Sequence, residues 1–196
     1  QLLDANSVNV LAKNGKAFIN RLIAMAERKG TPEPRRQALR KKLVALRHMY
    51  ANAVRVPYVW SRHQVYAKTP EGRGMHALNI DADIGPMLQA TKLKSIKDFA
   101  ARYDRLNLSG AEMELMNLSG PMTGIEIMRP LGLKAPVTNA FSRRAYYVNK
   151  MVIGLTGEQL LAELDRRMDE SVKTPGSQEF AAAFDDVKRA ARTAGR

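Results

Sequence analysis

The residues that could do chemistry in this chain are few and scattered. There are three histidines, His48, His63 and His76, and no cysteine. No histidine stands four residues from another or from a suitable carboxylate, so the spacing of a helical zinc site is missing. Without cysteine there is no thiol nucleophile, no zinc ribbon, no cysteine-held cluster and no disulfide framework. His48 falls opposite a leucine stripe and reads as a surface residue. His63 follows Trp60 and reads as a satisfied core or interface histidine. Asp81-Ala82-Asp83 places two carboxylates where an extended segment could offer both to a divalent cation. No glycine-rich phosphate cradle lies beside it, and the pair reads more simply as the start of a helix from Ile84 to Thr91. Gly72-Arg73-Gly74 is a loop glycine pair and not a dinucleotide fingerprint, because no strand precedes it. Neither G-x-x-x-x-G-K-[ST] nor G-x-S-x-G occurs. Asp169-Glu170 and Asp185-Asp186 read as solvated helix faces, and the ten methionines as core filler. The expectation is a non-catalytic chain with no catalytic residue, no cofactor and no metal ligand set.

The strongest signal is charge. Residues 13–63 hold thirteen basic side chains and two acidic ones, a net +11 out of +13 for the whole chain. Helix-local ion pairs cannot neutralise this stretch, since the acids are not there. One reading is a solvated helix face. The sharper one is a contact surface for something acidic: RNA, anionic lipid or an acidic protein. The candidate contact residues are Arg28, Lys29, Arg35, Arg36, Arg40, Lys41, Lys42 and Arg47. Tyr58, Trp60 and Tyr66 follow closely and could stack on bases, though such residues more often belong to a core.

The element that must carry these cations is a helical hairpin from Val8 to Val54. Its first arm shows Val8, Leu11, Phe18, Leu22 and Met25 on one face, with Ile19 and Ile23 beside them. Gly15 is a soft point, so this helix is expected to begin only after it. Gly30 suits a helix C-terminal cap, with Arg28 and Lys29 in the last turn. Thr31-Pro32-Glu33 is a helix start. Leu39, Leu43, Leu46, Tyr50 and Ala53 then recur in steps of four, three, four and three. Pro57 closes the second arm.

Beyond the hairpin, residues 57–66 are aromatic and suit an extended piece or a short helix, of which we favour the helix. Lys68 to Gly74 reads as a loop, and residues 67–86 as a linker. From Met87 the chain reads as an array of short helices with hydroxyl caps at Ser95, Ser109, Thr123 and Thr156, the last three matching the capping box. Asn107-Leu108-Ser109-Gly110 recurs as Asn117-Leu118-Ser119-Gly120, as if two helices shared one cap chemistry. The run from Leu106 to Leu131 resembles the helical domain of the small stalk subunit of RNA polymerases, a resemblance without a distinctive motif that implies no function here. Pro136 to Leu155 reads as one longer amphipathic helix, with Phe141, Ala145, Val148 and Val152 on one face. Phe180 to Ala194 reads as a last Ala-rich helix. No strand pattern runs long enough to count, and no stretch of about 18 apolar residues exists to span a membrane.

The sequence therefore predicts an all-α fold: a basic N-terminal helical hairpin and aromatic segment over 1–66, a linker over 67–86, and an array of short capped helices over 87–196. Its first residue, Gln1, reads as the mark of a processed chain or of a piece of a longer one, through loss of a targeting peptide, a capsid maturation cleavage or simple truncation. The leading functional expectation is an accessory subunit of a large multi-protein assembly, in the mitochondrial matrix or at the periphery of the inner membrane, with other protein subunits as partners. The alternatives are a virion structural or genome-ejection protein, and an RNA-binding component of a ribonucleoprotein such as an organellar ribosome. In these, residues 13–63 would contact nucleic acid or anionic lipid.

Overall fold

The computed structural model describes residues 4–194. The fold is all-α. Eleven helices are present among the described residues: α1 (Asp4–Glu27), α2 (Glu33–Ala53), α3 (Trp60–Tyr66), α4 (Pro70–Ala77), α5 (Gly85–Ala101), α6 (Gly110–Ser119), α7 (Pro121–Ile127), α8 (Pro130–Lys134), α9 (Arg143–Val148), α10 (Gly157–Val172) and α11 (Pro175–Ala194). No strand forms among them, and only an isolated bridge joins Pro136 to Thr156. Among the described residues no helix is long and apolar enough to cross a membrane. The chain divides into two compact units, up to Ser95 and from Ile96.

In the first unit the hairpin is built as its periodicity demands. Val8, Leu11, Phe18 and Leu22 of α1 meet Leu39, Leu46 and Ala53 of α2 in one buried cluster, joined by Met75, Ile84 and Leu88. α1 does not wait for Gly15; the helix runs straight through it. A Cβ there would stand 2.3 Å from Cδ2 of Tyr50, so glycine is what lets the two helices approach. The turn behaves partly as its composition suggests. Gly30 takes the left-handed φ of +87° that ends α1 cheaply. Thr31 does not cap α2: Pro32 holds that position with no side-chain bond, and the Thr31 hydroxyl donates back to the carbonyl of Met25 at 3.1 Å.

The stretch expected to be a linker is folded. Thr69 caps α4, its hydroxyl accepting the N–H of Gly72 at 3.1 Å, with Pro70 at the first helical position. This is the Thr-Pro helix start again, at a place where two glycines suggest a loop. Gly72 and Met75 are buried, and α4 and α3 both pack on α1. The compact units divide within α5 and not over 67–86.

In the second unit α6 packs on α7 and α10, and α8 packs on α10. Its core holds Ile96, Leu115, Met116, Ile125, Phe141, Val152, Leu160 and Leu164. Two of the four expected caps are complete capping boxes, Ser109 with Glu112 and Thr156 with Gln159. Ser95 instead lies inside α5, its hydroxyl donating to the Lys92 carbonyl at 2.7 Å. Thr123 lies inside α7, whose start is taken by Gly120 at φ +94° followed by Pro121. The repeated Asn-Leu-Ser-Gly thus opens α6 at its first occurrence and closes the same helix at its second. The downstream residues make the difference: Glu112 completes a box after Ser109, whereas Pro121 succeeds Gly120. The long helix expected over 136–155 is broken into the short α9 and two 3₁₀ turns, Val137–Asn139 and Lys150–Val152. Ser142 starts α9, accepting the N–H of Ala145 at 3.3 Å, and Gly154 turns the chain at φ +78°. Phe141 and Val152 still reach the core.

Candidate acidic-partner interface

The eight basic residues singled out by charge do not share one role. Three are committed to partners within the chain. Arg35, in the first turn of α2, forms a two-pronged pair with Asp83, its Nη1 donating to Oδ2 at 3.1 Å and its Nη2 bonding Oδ1. Lys42, two turns further along the same edge, reaches Asp83 at 2.6 Å and Asp81 at 2.7 Å. Arg36 closes the hairpin turn, donating to the carbonyls of Ala26 at 3.3 Å and Thr31 at 3.2 Å and to Glu33 at 3.0 Å. The carbonyl of Ala26 belongs to the last turn of α1, where orphan acceptors need a donor.

The other five are free for a partner. Arg28 and Lys29 sit in the exposed turn after α1, and Arg40, Lys41 and Arg47 on the exposed face of α2. None of the five makes an ion pair among the described residues. Near the turn, Arg28 and Lys29 flank a shallow groove floored by Met25 and Leu39.

The D-x-D pair is an anchor for the hairpin. Asp81 accepts the N–H groups of Asp83 at 2.8 Å and Ile84 at 3.0 Å, which starts the turn into α5 as its spacing suggests. Its outer oxygen and both oxygens of Asp83 are taken by Lys42 and Arg35. The two-pronged Arg35 bond, aided by Lys42, holds the buried Asp83 carboxyl below the usual carboxylate range. Burial alone would raise Asp81, but the Lys42 bond and the two backbone N–H groups outweigh it and the net direction is also down. In return, the two carboxylates raise Lys42 and Arg35. Among the described residues no three metal-ligating side chains converge.

This pairing matters for the outer face. The first unit carries seventeen basic and six acidic residues. Asp81 and Asp83 are spent on the inner edge of α2, and Glu33 pairs with Arg36. Sequence spacing shows that the acids are scarce. It does not show which cations they neutralise, because Arg35 and Asp83 are 48 residues apart.

The aromatic segment is exposed at Tyr58 (56%) and Trp60 (44%), but Tyr58 is tied down. The Tyr58 hydroxyl donates to Asn9 at 3.0 Å, and Lys13 lies 4.8 Å above its ring. Trp60 is part exposed, and Tyr66 half-buried with its hydroxyl raised by burial. His63 departs from expectation. It is buried at 1% exposure beneath the edge of Tyr58, but it is not satisfied: neither ring nitrogen has a partner. Burial, reinforced by Lys13, pushes its pKa down, so it is neutral in the folded protein at neutral pH. An orphaned ring costs about 1–3 kcal/mol in lost hydration. His63→Leu should therefore raise stability by about 1 kcal/mol after allowing for imperfect refilling. The wild type should lose stability as pH falls through about 6.5, where the unfolded chain takes up a proton that folded His63 refuses. That acid step should vanish in His63→Leu, and chemical denaturation at pH 7.5 and pH 5.5, values set by the histidine range, measures both effects.

No family model, no curated protein and no solved structure matches the chain.

Proposed function

We propose that this chain is a non-catalytic accessory subunit of a large protein assembly, and that the outer face of α2 docks it to an acidic protein surface. The observation that carries the reading is the sorting of cations on α2. Arg35 and Lys42 use the nearby carboxylates on the inner edge, while Arg40, Lys41 and Arg47 face outward with no ion pair among the described residues. A helix face that stays this basic steers the chain toward negative partners. A protein partner is favoured over nucleic acid because one face of the neighbouring Tyr58 ring is already covered by Lys13 and its hydroxyl is held by Asn9.

Native sedimentation from the source, with and without nuclease, tests the reading. The chain should remain in a large particle after nuclease, with protein companions that reveal the setting, organellar or virion. Release as a small species by nuclease would overturn it in favour of a nucleic-acid grip, whose affinity falls steeply with salt because neutralised phosphates release counterions.

A further inference from the structure

The second unit carries the complement of α2. On α10, Arg166 and Arg167 turn toward Glu163, which they hold at about 2, and Arg166 also reaches Glu170 at 2.5 Å. That face neutralises itself. A different row of the same helix does not: Glu158, Asp165 and Asp169 are exposed and make no ion pair among the described residues. At 100° per residue these three fall within about 40° of one another, so they form one acidic stripe. Ala162 lies beside them, also exposed.

The spacing matches α2 in reverse. Arg40 and Arg47 are seven residues apart on one exposed row, with Val44, 68% exposed, between them. Glu158 and Asp165 are also seven apart, with Ala162 between them. Seven residues of helix rise about 10 Å. Laid antiparallel, Arg47 falls opposite Glu158 and Arg40 opposite Asp165, and Val44 meets Ala162 between the two charge pairs. Asp169 then comes level with Arg36, one turn beyond.

We propose that the acidic surface gripped by α2 is α10 of a second copy of this chain. The inference rests on the reading of α2 as a docking face and names its partner. The contact joins two different surfaces, so copies join in a closed ring, the smallest being a reciprocal dimer, or in an open chain. Exposed ion pairs are weak singly and screened by salt, so the association is modest and salt-sensitive.

Sedimentation velocity of the purified, nuclease-treated full chain tests it. The wild type should self-associate in a concentration-dependent way at about 50 mM salt and dissociate at about 500 mM, where the Debye length is several-fold shorter. Arg40→Glu/Arg47→Glu alone should be monomeric, as should Glu158→Arg/Asp165→Arg alone, each checked for unchanged helicity. Mixed in equal amounts the two variants should associate again, because every α2–α10 pairing across the mixture is then of opposite charge. Dimers and longer chains both support the proposal. A wild type that is monomeric at every concentration overturns it, whether or not its two faces meet within one chain. So does a mixture that stays monomeric, or association that survives either reversal. If the wild type is monomeric yet travels with other proteins in a nuclease-resistant particle, the docking reading stands and only the self-pairing falls.

Discussion

Lys42→Met should lower the stability of the first unit by about 2–3 kcal/mol. Met keeps the length and apolar stem of the lysine and removes only the ammonium, which bonds Asp81 at 2.7 Å and Asp83 at 2.6 Å. The Asp83 side chain is 5% exposed, so its charge loses a partner without gaining water. The cost stays below the roughly 3–5 kcal/mol of a fully enclosed pair broken on one side. Arg35 remains on Asp83, and the Lys42 side chain is already 29% exposed. Trp60 is the chain's single tryptophan and lies in this unit, so a fluorescence melt reports it directly. The midpoint should fall by about 10–20 °C. Adding Asp83→Asn to Lys42→Met should recover part of the loss. An unchanged midpoint in Lys42→Met would mean that the ion network contributes nothing to the fold.

The same cluster sets a pH dependence whose sign the cations decide. In the wild type Asp81 and Asp83 are held below their ordinary range. The unfolded chain takes up those protons first, near pH 4, so the stabilisation is complete above that value and drains away as pH falls through the folded-state values. In Arg35→Met/Lys42→Met both cations are gone and burial dominates at Asp83. Its carboxyl is then pushed up, the folded state binds the proton more readily than the unfolded one, and stability rises as pH falls toward the carboxylate range. An acid limb that keeps its wild-type slope in the double variant would contradict the assignment of Asp83 as the buried member.

How far the fold could be read in advance depended on whether the deciding contact was local. The α1–α2 hairpin follows from a 3.6-residue period, and the two capping boxes from a hydroxyl and an acid or amide three residues apart. These are interactions within one turn or between adjacent turns, and they leave their trace in spacing. The failures have two causes, a stronger local signal beside the one that was read and a contact between distant residues. Ser95 and Thr123 have the cap pattern but are overridden, one by continuation of α5, the other by Gly120-Pro121. The segment over 136–155 has a helical period yet is broken, because Val137 bonds the carbonyl of Leu155 at 3.0 Å, a contact spanning the whole stretch. For the proposed docking surface the same rule holds. Charge counting located the basic helix, but only the fold shows that Arg35 and Lys42 face inward to Asp83 while Arg40 and Arg47 face outward. The orphaned nitrogens of His63 left no signal in spacing at all, since burial without a partner is a property of the packed surroundings.

The sharpest such case is Gly72-Arg73-Gly74, where two glycines in one short helix should respond to alanine with opposite signs. Gly72→Ala should cost about 3 kcal/mol or more. A Cβ there would stand 2.2 Å from the carbonyl oxygen of Tyr66 and 2.6 Å from Cα of Ala67. Both obstacles are backbone, at the point where the chain leaves α3 and enters α4, so no side chain can swing aside. The displacement would also pull the Gly72 N–H from the Thr69 hydroxyl that caps α4. Two residues on, Gly74→Ala meets nothing closer than Cε of Met49 at 4.0 Å. There the substitution removes only the backbone freedom that glycine has in the unfolded chain, and α4 should gain about 0.5–1 kcal/mol. Trp60 fluorescence melts of the two single variants make the comparison. A loop over 68–74 would tolerate both changes alike, whereas a helix pressed against α3 at Gly72 and open at Gly74 separates them. Opposite shifts would place the glycines in α4 for different reasons, one for close approach and one for none that packing requires.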